Sequence, residues 1–304
     1  MMENINYLAK KVILKITGFL KRIFVQSKYY CMDIIPGKKI VINYWLPTGS
    51  NPGNYNFGDD LNLFLVELIT GKKVIPYIYS ISSRIKNKIN YLCIGSIICQ
   101  LTNEKSIIWG SGVLSPTDEL PQKPLKVAAV RGPLTRDFLM KKGVDCPEIY
   151  GDPALLLSRF YQPKELVKKY RMGIIPHYVD KDHPFLDVCR KADDILVLDV
   201  QKYGSFKSFI NNLCSCQFIA SSSLHGLIIS DSYSIPNLWV QFSDKIIGGR
   251  FKFEDYFLSV KRPLNNYPIV INSSEQINNL LRYKNEWRAP DINLELLLES
   301  CPFA

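Results

Sequence analysis

An α/β fold of two Rossmann-like domains facing a cleft is what this sequence predicts. Short apolar runs of strand length alternate with segments of helical periodicity, the signature of parallel sheets. The alternation comes in two series, split by a charged joint at 162–171. At 304 residues, the chain is long enough for two domains of ordinary size.

Residues 5–27 read as a basic amphipathic helix. Leu8, Val12, Ile16, Phe19 and Ile23 recur at helical spacing, while Lys11, Lys15 and Arg22 share another face. Such a helix suits the interface of an anionic membrane; packed on the protein, it would instead turn its lysines to water. Residues 28–37 read as a linker broken at Pro36-Gly37, so 1–37 precede the first domain.

That domain, 38–160, opens with a β-rich run over Lys39–Trp45. A turn-forming stretch from Pro47 to Asp60 leads to helical periodicity over Leu61–Ile69. Val74–Ile78, Tyr91–Ile94, Ser106–Trp109 and Lys126–Val130 predict short buried strands. Pro133–Lys142 predicts a helix, with proline in its first turn and Gly143 at its end. In the second domain, 171–262, strands are expected at Met172–Pro176, Asp194–Val200, Gln217–Ala220 and Asn237–Phe242. Helices are expected at Phe206–Leu213 and Leu224–Asp231. Within the tail, 263–304, two helices over Ser273–Ser300 would brace the domains.

Composition narrows the function. Hydrophobic residues make up 47% and charged residues 22%, a normal globular balance. The net charge is +10, and half of the excess lies in the first thirty residues. The body is therefore mildly basic, which fits small anions better than a nucleic-acid groove. The eight cysteines include no C-x-x-C pair and sit mostly in apolar runs. That argues against a zinc ribbon and for a reducing compartment. No run of about eighteen apolar residues predicts a membrane span, and the N-terminal lysines are interleaved unlike those of a signal peptide. The expected location is the cytoplasm, with peripheral contact to the inner face of the plasma membrane through 5–27.

Ligands of open α/β sheets bind beyond the carboxyl ends of strands, so chemistry is sought there. Asn56-Phe57-Gly58-Asp59-Asp60 follows the first strand. Its glycine permits close backbone approach, and one of Asp59 and Asp60 can cap a helix while the other faces the cleft. Arg131, ending a buried strand before a helix, offers a planar fork to a carboxylate or phosphate, or else a salt bridge to a neighbouring acid. Asp152, before Pro153, either shapes a turn or faces the ligand. Ser221, Ser222 and Ser223, followed by Leu224, His225 and Gly226 at a helix start, could cradle a phosphate, with His225 at its mouth to move a proton. His177, after Pro176, is a second histidine at a strand end. Lys245, Arg250 and Lys252 flank Gly248-Gly249, either as a mobile anion clamp or as a solvated turn. The Walker P-loop, G-x-G-x-x-G, H-E-x-x-H and G-x-S-x-G are all missing.

Taken in order, these motifs resemble the polysaccharide pyruvyl transferase family. The matching pieces are NFGDDL at Asn56–Leu61, Ile94-Gly95-Ser96, WGSG at Trp109–Gly112, RGPLT at Arg131–Thr135, YGDPAL at Tyr150–Leu155, GIIPHY at Gly173–Tyr178 and SSSLHGL at Ser221–Leu227. FKFEDY at Phe251–Tyr256 is similar to bacterial members. The resemblance covers about residues 40 to 260. It implies a GT-B-like pair of domains and transfer of pyruvate from phosphoenolpyruvate to two hydroxyls of a sugar, carried on a lipid-linked precursor of a capsule or exopolysaccharide. It maps a donor-binding histidine to His225, an arginine to Arg131 and an acid to Asp59 or Asp60. Some members carry arginine where Ser223 stands, so Arg250, Lys245 or Lys252 would replace that charge. The expected scheme has protonated His225 deliver a proton to the donor's methylene carbon while Asp59 or Asp60 takes one from the sugar, with no metal or other cofactor. Competing readings are a GT-B glycosyltransferase using a nucleotide sugar, with Glu254 or Asp255 gripping ribose, and a non-catalytic glycan-binding relative.

Overall fold

The computed structural model describes residues 16–17, 19–20, 23–47, 50–53, 55–164, 167–264 and 267–303. Residues 23–34 form helix α1. Then come β1 (Lys39–Ile42), α2 (Phe57–Thr70), β2 (Lys73–Pro76), α3 (Ile81–Ile85), β3 (Asn90–Leu92), α4 (Ile98–Leu101), β4 (Ser106–Trp109), β5 (Lys126–Ala129) and α5 (Pro133–Lys141). A short α6 (Leu157–Phe160) leads to β6 (Met172–Ile175), α7 (Pro184–Lys191), β7 (Ile195–Val197), α8 (Phe206–Cys214), β8 (Ile219–Ser221), α9 (Leu224–Ser232), β9 (Asn237–Gln241), α10 (Phe251–Ser259) and β10 (Ile269–Val270). The tail holds α11 (Gln276–Leu280) and α12 (Leu294–Glu299).

The ten strands make two five-stranded sheets, ordered β2-β1-β3-β4-β5 and β10-β9-β8-β6-β7, parallel throughout. Helices cover both faces of such sheets, so strand residues are apolar in unbroken runs. Ile42, Leu92, Ile108 and Ile174 are accordingly fully buried. Counted from its own first strand, each sheet runs 2-1-3-4-5. The chain therefore changes direction between β1 and β3 in one sheet and between β6 and β8 in the other. Such a switch point leaves a crevice beyond the strand ends, and this fold has two.

The tail returns to the first sheet. Leu280 joins the core of the second sheet, whereas the Trp109 indole N–H donates to Leu297 O at 2.9 Å. The Phe303 ring meets Trp109 and Tyr91 edge-on.

Two sequence expectations change here. Residues 28–34, read as linker, are helical. Tyr29 stacks on Tyr79 at 5.9 Å, and the Asp33 carboxylate accepts from Ser80 Oγ and Ser82 N at 2.7 and 2.8 Å. These tertiary contacts extend the helix to the proline break. The basic stretch at 250–253 belongs to α10 from Phe251 onward, so Lys252 sits on a helix, not a free loop. Residues 5–15, 18, 21 and 22 of the expected amphipathic helix lie outside the described residues.

Candidate active site

The two switch points face each other across one cavity of about 290 Å3. The first sheet contributes Asn56 and Asp59 after β1 and Gly95 and Ser96 after β3. The second contributes His177 after β6, Ser223 and His225 after β8, and Lys252 from α10. Depressions of about 610 and 740 Å3 elsewhere contain none of the strand-end motifs.

At the first switch point, Asn56 caps α2, its Oδ1 accepting from Gly58 N at 3.1 Å. Gly58 is required by close approach: a Cβ there would lie 2.3 Å from His225 Nδ1. The imidazole from the second half thus lies flat against the first turn of α2. The two adjacent aspartates divide. Asp60 is buried and accepts from Gly53 N and Tyr55 N, both at 2.6 Å, from Asn56 N at 3.2 Å and from Tyr203 Oη at 2.9 Å. It holds the loop before α2 and ties that loop to the other half, so its carboxylate is not offered to the cavity. Asp59 lines the cavity. Burial, then the charge of Asp60, push its pKa up to about 8, with Lys252 opposing.

Lys252 extends its ammonium into this wall, bonded to Ile247 O at 3.1 Å. Burial, then repulsion from Arg131, bring its pKa down to about 8, with Asp59 opposing. A carboxyl and an amine that titrate together near neutrality suit acid–base work. Of the three cations weighed against Ser223, Lys252 is the one on the cavity wall. Lys245 is exposed away from it. Arg250 pairs with Glu254 at 2.8 Å and lies over the Trp239 ring.

The serines also separate by role. Ser221 Oγ donates to Ile175 O and accepts from Ser223 N at 3.0 Å. Ser222 Oγ accepts from His177 N at 2.8 Å. Both are buried braces of the turn, not cradle groups. Ser223, the N-cap residue of α9, makes no side-chain cap bond and lines the cavity. Leu224 and His225 follow it on the wall. Gly226 stands behind, where a Cβ would lie 2.3 Å from Ser221 Oγ.

His225 and Asp152 form the innermost pair. His225 Nε2 is buried with no hydrogen-bond partner and lies 3.9 Å from Asp152 Oδ2, itself buried and unpartnered. The other Asp152 oxygen accepts from Ala154 N at 2.9 Å. Asp152 thus stands behind the histidine and off the cavity wall. Burial raises its pKa to about 7, opposed by that N–H and by Arg131. Burial, then Arg131, Lys252 and His177, lower the His225 pKa to about 3. Burial first, and the neighbouring cations second, thus favour the neutral imidazole, whereas the expected scheme uses the protonated form. His177 is likewise held at about 3 by burial and Lys252.

Arg131 is fully buried behind the wall. Its Nε pairs with Asp255 Oδ2 at 2.9 Å, Nη2 donates to Val113 O at 2.8 Å, and Nη1 donates to Ser96 Oγ. Asp255 also accepts from Thr135 N and Thr135 Oγ. The fork expected to meet a ligand directly is spent on these partners. Its charge reaches the cavity only at one remove, through Ser96.

An aromatic rim of Trp45, Tyr55 and Tyr178 completes the wall. Sequence reasoning passed over it, although Tyr55 and Tyr178 adjoin the NFGDDL and PHY motifs. Ser96, which relays Arg131, was quoted in a motif without a role.

A family model described as polysaccharide pyruvyl transferase matches residues 19–244; Lys252 and Asp255 lie past its end. An uncharacterized protein of Acanthamoeba polyphaga mimivirus is 30% identical over 255 residues, 81% of this chain and 84% of its own length. The succinoglycan biosynthesis protein ExoV of Rhizobium meliloti is 27% identical over 205 residues, 66% of this chain and 60% of its own length.

Proposed function

Because the chain belongs to the polysaccharide pyruvyl transferase family, we propose that its cavity binds phosphoenolpyruvate and transfers the pyruvyl group to two hydroxyls of one sugar in a lipid-linked polysaccharide precursor. The observation that carries this reading is the meeting of His225, Asp59 and Lys252 from opposed switch points in one cavity. A donor with a carboxylate and a phosphate needs positive potential on one side and an acid–base pair on the other.

Lys252 and the uncapped start of α9 at Ser223 supply the positive side. Arg131 adds its field through Ser96. A bound anion offsets the cations' share of the depression, which is smaller than that of burial, and so raises the His225 pKa. Because Nε2 is sealed against Asp152, Nδ1 is the nitrogen left to exchange a proton with the ligand. Asp152 orients the ring and steadies its charged form. The reaction then balances simply. The donor's methylene carbon gains a proton from His225, and a sugar hydroxyl adds to the neighbouring carbon, losing its proton to Asp59 in the ionised form that prevails above about pH 8. The C–O bond to phosphate breaks, and a second hydroxyl closes the ketal, its proton leaving with the phosphate. Trp45, Tyr55 and Tyr178 offer faces on which a sugar ring can stack.

The nucleotide-sugar alternative loses its ribose-gripping acids. Glu254 is paired with Arg250, and Asp255 is buried on Arg131. Incubation with phosphoenolpyruvate and a panel of lipid-linked sugars, read by mass spectrometry, should add one pyruvyl ketal to a subset of acceptors and release phosphate. Consumption of a nucleotide sugar in its place would refute the assignment.

A further inference from the structure

Helix α1 presents an outward face that the cavity does not use. Its inward face is held: Gln26 Nε2 donates to Tyr79 Oη at 3.2 Å, Tyr29 stacks on Tyr79, and Asp33 binds Ser80 and Ser82. Outward, Phe24, Cys31 and Ile35 recur at helical spacing, with exposed Leu20 and Ile16 four and eight residues before Phe24. Phe24 is 74% exposed and Ile35 61%. Asp33 also fixes the start of α3, where Ile81 is 47% exposed and Ile85 79%. An apolar row of this extent on a globular surface marks an interaction site.

Charge identifies the partner. The same two segments of chain carry Lys28, Lys38, Arg84, Lys86 and Lys88. Across residues 16–47 and 77–90 the only carboxylate is Asp33, which is spent on Ser80 and Ser82. A second copy seated on this face would set cations against cations. A surface of anionic headgroups over acyl chains complements both features.

We propose that this face, built from α1 and α3, docks on an anionic lipid bilayer. The proposal rests on the surface alone and stands whatever donor the cavity takes. Tyr79 Oη also donates to Ser50 O at 3.4 Å, in the loop that leads to Tyr55. Under the reading of the cavity given above, docking would hold the aromatic rim close to a lipid-linked acceptor.

Cys31 is the exposed cysteine among the described residues, so a polarity-sensitive thiol dye placed there reports on the face. The full-length protein is mixed with vesicles of phosphatidylglycerol and phosphatidylcholine, and with phosphatidylcholine alone. Docking is expected to shift the emission to the blue and to float the protein with the anionic vesicles. Partition should weaken by about ten-fold or more for Phe24→Glu/Ile85→Glu and for Lys86→Ala/Lys88→Ala. Both double variants should keep wild-type circular dichroism and wild-type turnover of a soluble acceptor, which separates loss of docking from loss of chemistry. Unchanged emission with both vesicle types, or undiminished partition of both variants, overturns the proposal. A probe shielded from iodide without vesicles at every protein concentration would assign the face to residues 1–15. Shielding that grows with concentration would assign it to a second copy. Either result also overturns the proposal.

Discussion

The two strand-to-helix turns that meet in the cavity solve the same local problem in opposite ways. At the start of α2, Asn56 caps the helix and Asp60 gathers three backbone N–H groups of the preceding loop. That turn is electrostatically satisfied by its own side chains. What it presents to the cavity is Asp59, an acid with no hydrogen-bonding duty in the turn. At the start of α9, Ser221 and Ser222 brace the turn from behind, while Ser223 leaves the helix uncapped. That turn keeps its positive end open. Under the proposed function one turn serves proton transfer and the other anion binding, and the difference lies in which polar groups are already used.

The largest expected effect tests the group that joins the two turns. His225→Ala should lower turnover by about a thousand-fold, read by phosphate release, with an unchanged melting temperature. Turnover within ten-fold of wild type would remove the histidine from the chemistry.

A paired substitution sharpens the contrast within the first turn. Asp59→Asn should cost about a hundred-fold in turnover and little in stability. Asp60→Asn should cost about 2 kcal/mol in urea unfolding, since its buried donors lose one of the two oxygens that accept from them. Matching losses from both variants would erase the division of labour. The pH dependence has a definite sign. Asp59 titrates near 8 in the folded protein, well above its ordinary value of 3.8. Between those values the folded state holds a proton that the unfolded state has lost, so this group makes stability fall as pH rises. Asp59→Asn should therefore gain on wild type by about 1 kcal/mol per pH unit from pH 5 to pH 8.

The smallest effects compare the caps themselves. Asn56→Ala should lose about 1 kcal/mol of stability. Ser223→Ala, which removes no cap bond, should lose no more than a few tenths of that and should instead raise the KM for the donor. Equal thermal shifts in the two variants would show that the second turn is closed in solution.

The strands were legible because buried parallel strands are apolar throughout: Ser106–Trp109 matches its expected bounds, and the others differ by one to three residues at their ends. The two-residue β10 carries no pattern to read. The site was legible as a set of strand-end motifs but not as a set of roles. Nothing local tells that Ser221 turns to Ile175, that Asp60 meets Tyr203, or that Arg131 pairs with an aspartate 124 positions away. Each of these choices is made by a partner distant in sequence, and the residue that remains free on the cavity wall is the one that no partner claimed.

The ion pair between Arg131 and Asp255 has a consequence for how ligands reach the centre. It joins a strand end of the first sheet to a helix of the second, and both side chains are fully buried. The main chain of Gly132 presses so closely on Asp255 that a Cβ would lie 1.9 Å from its carbonyl oxygen. Swinging the halves apart like a clamshell would strand both charges, a penalty of about 3 to 5 kcal/mol. With the halves joined in this way, small-angle scattering should give the same radius of gyration with and without donor.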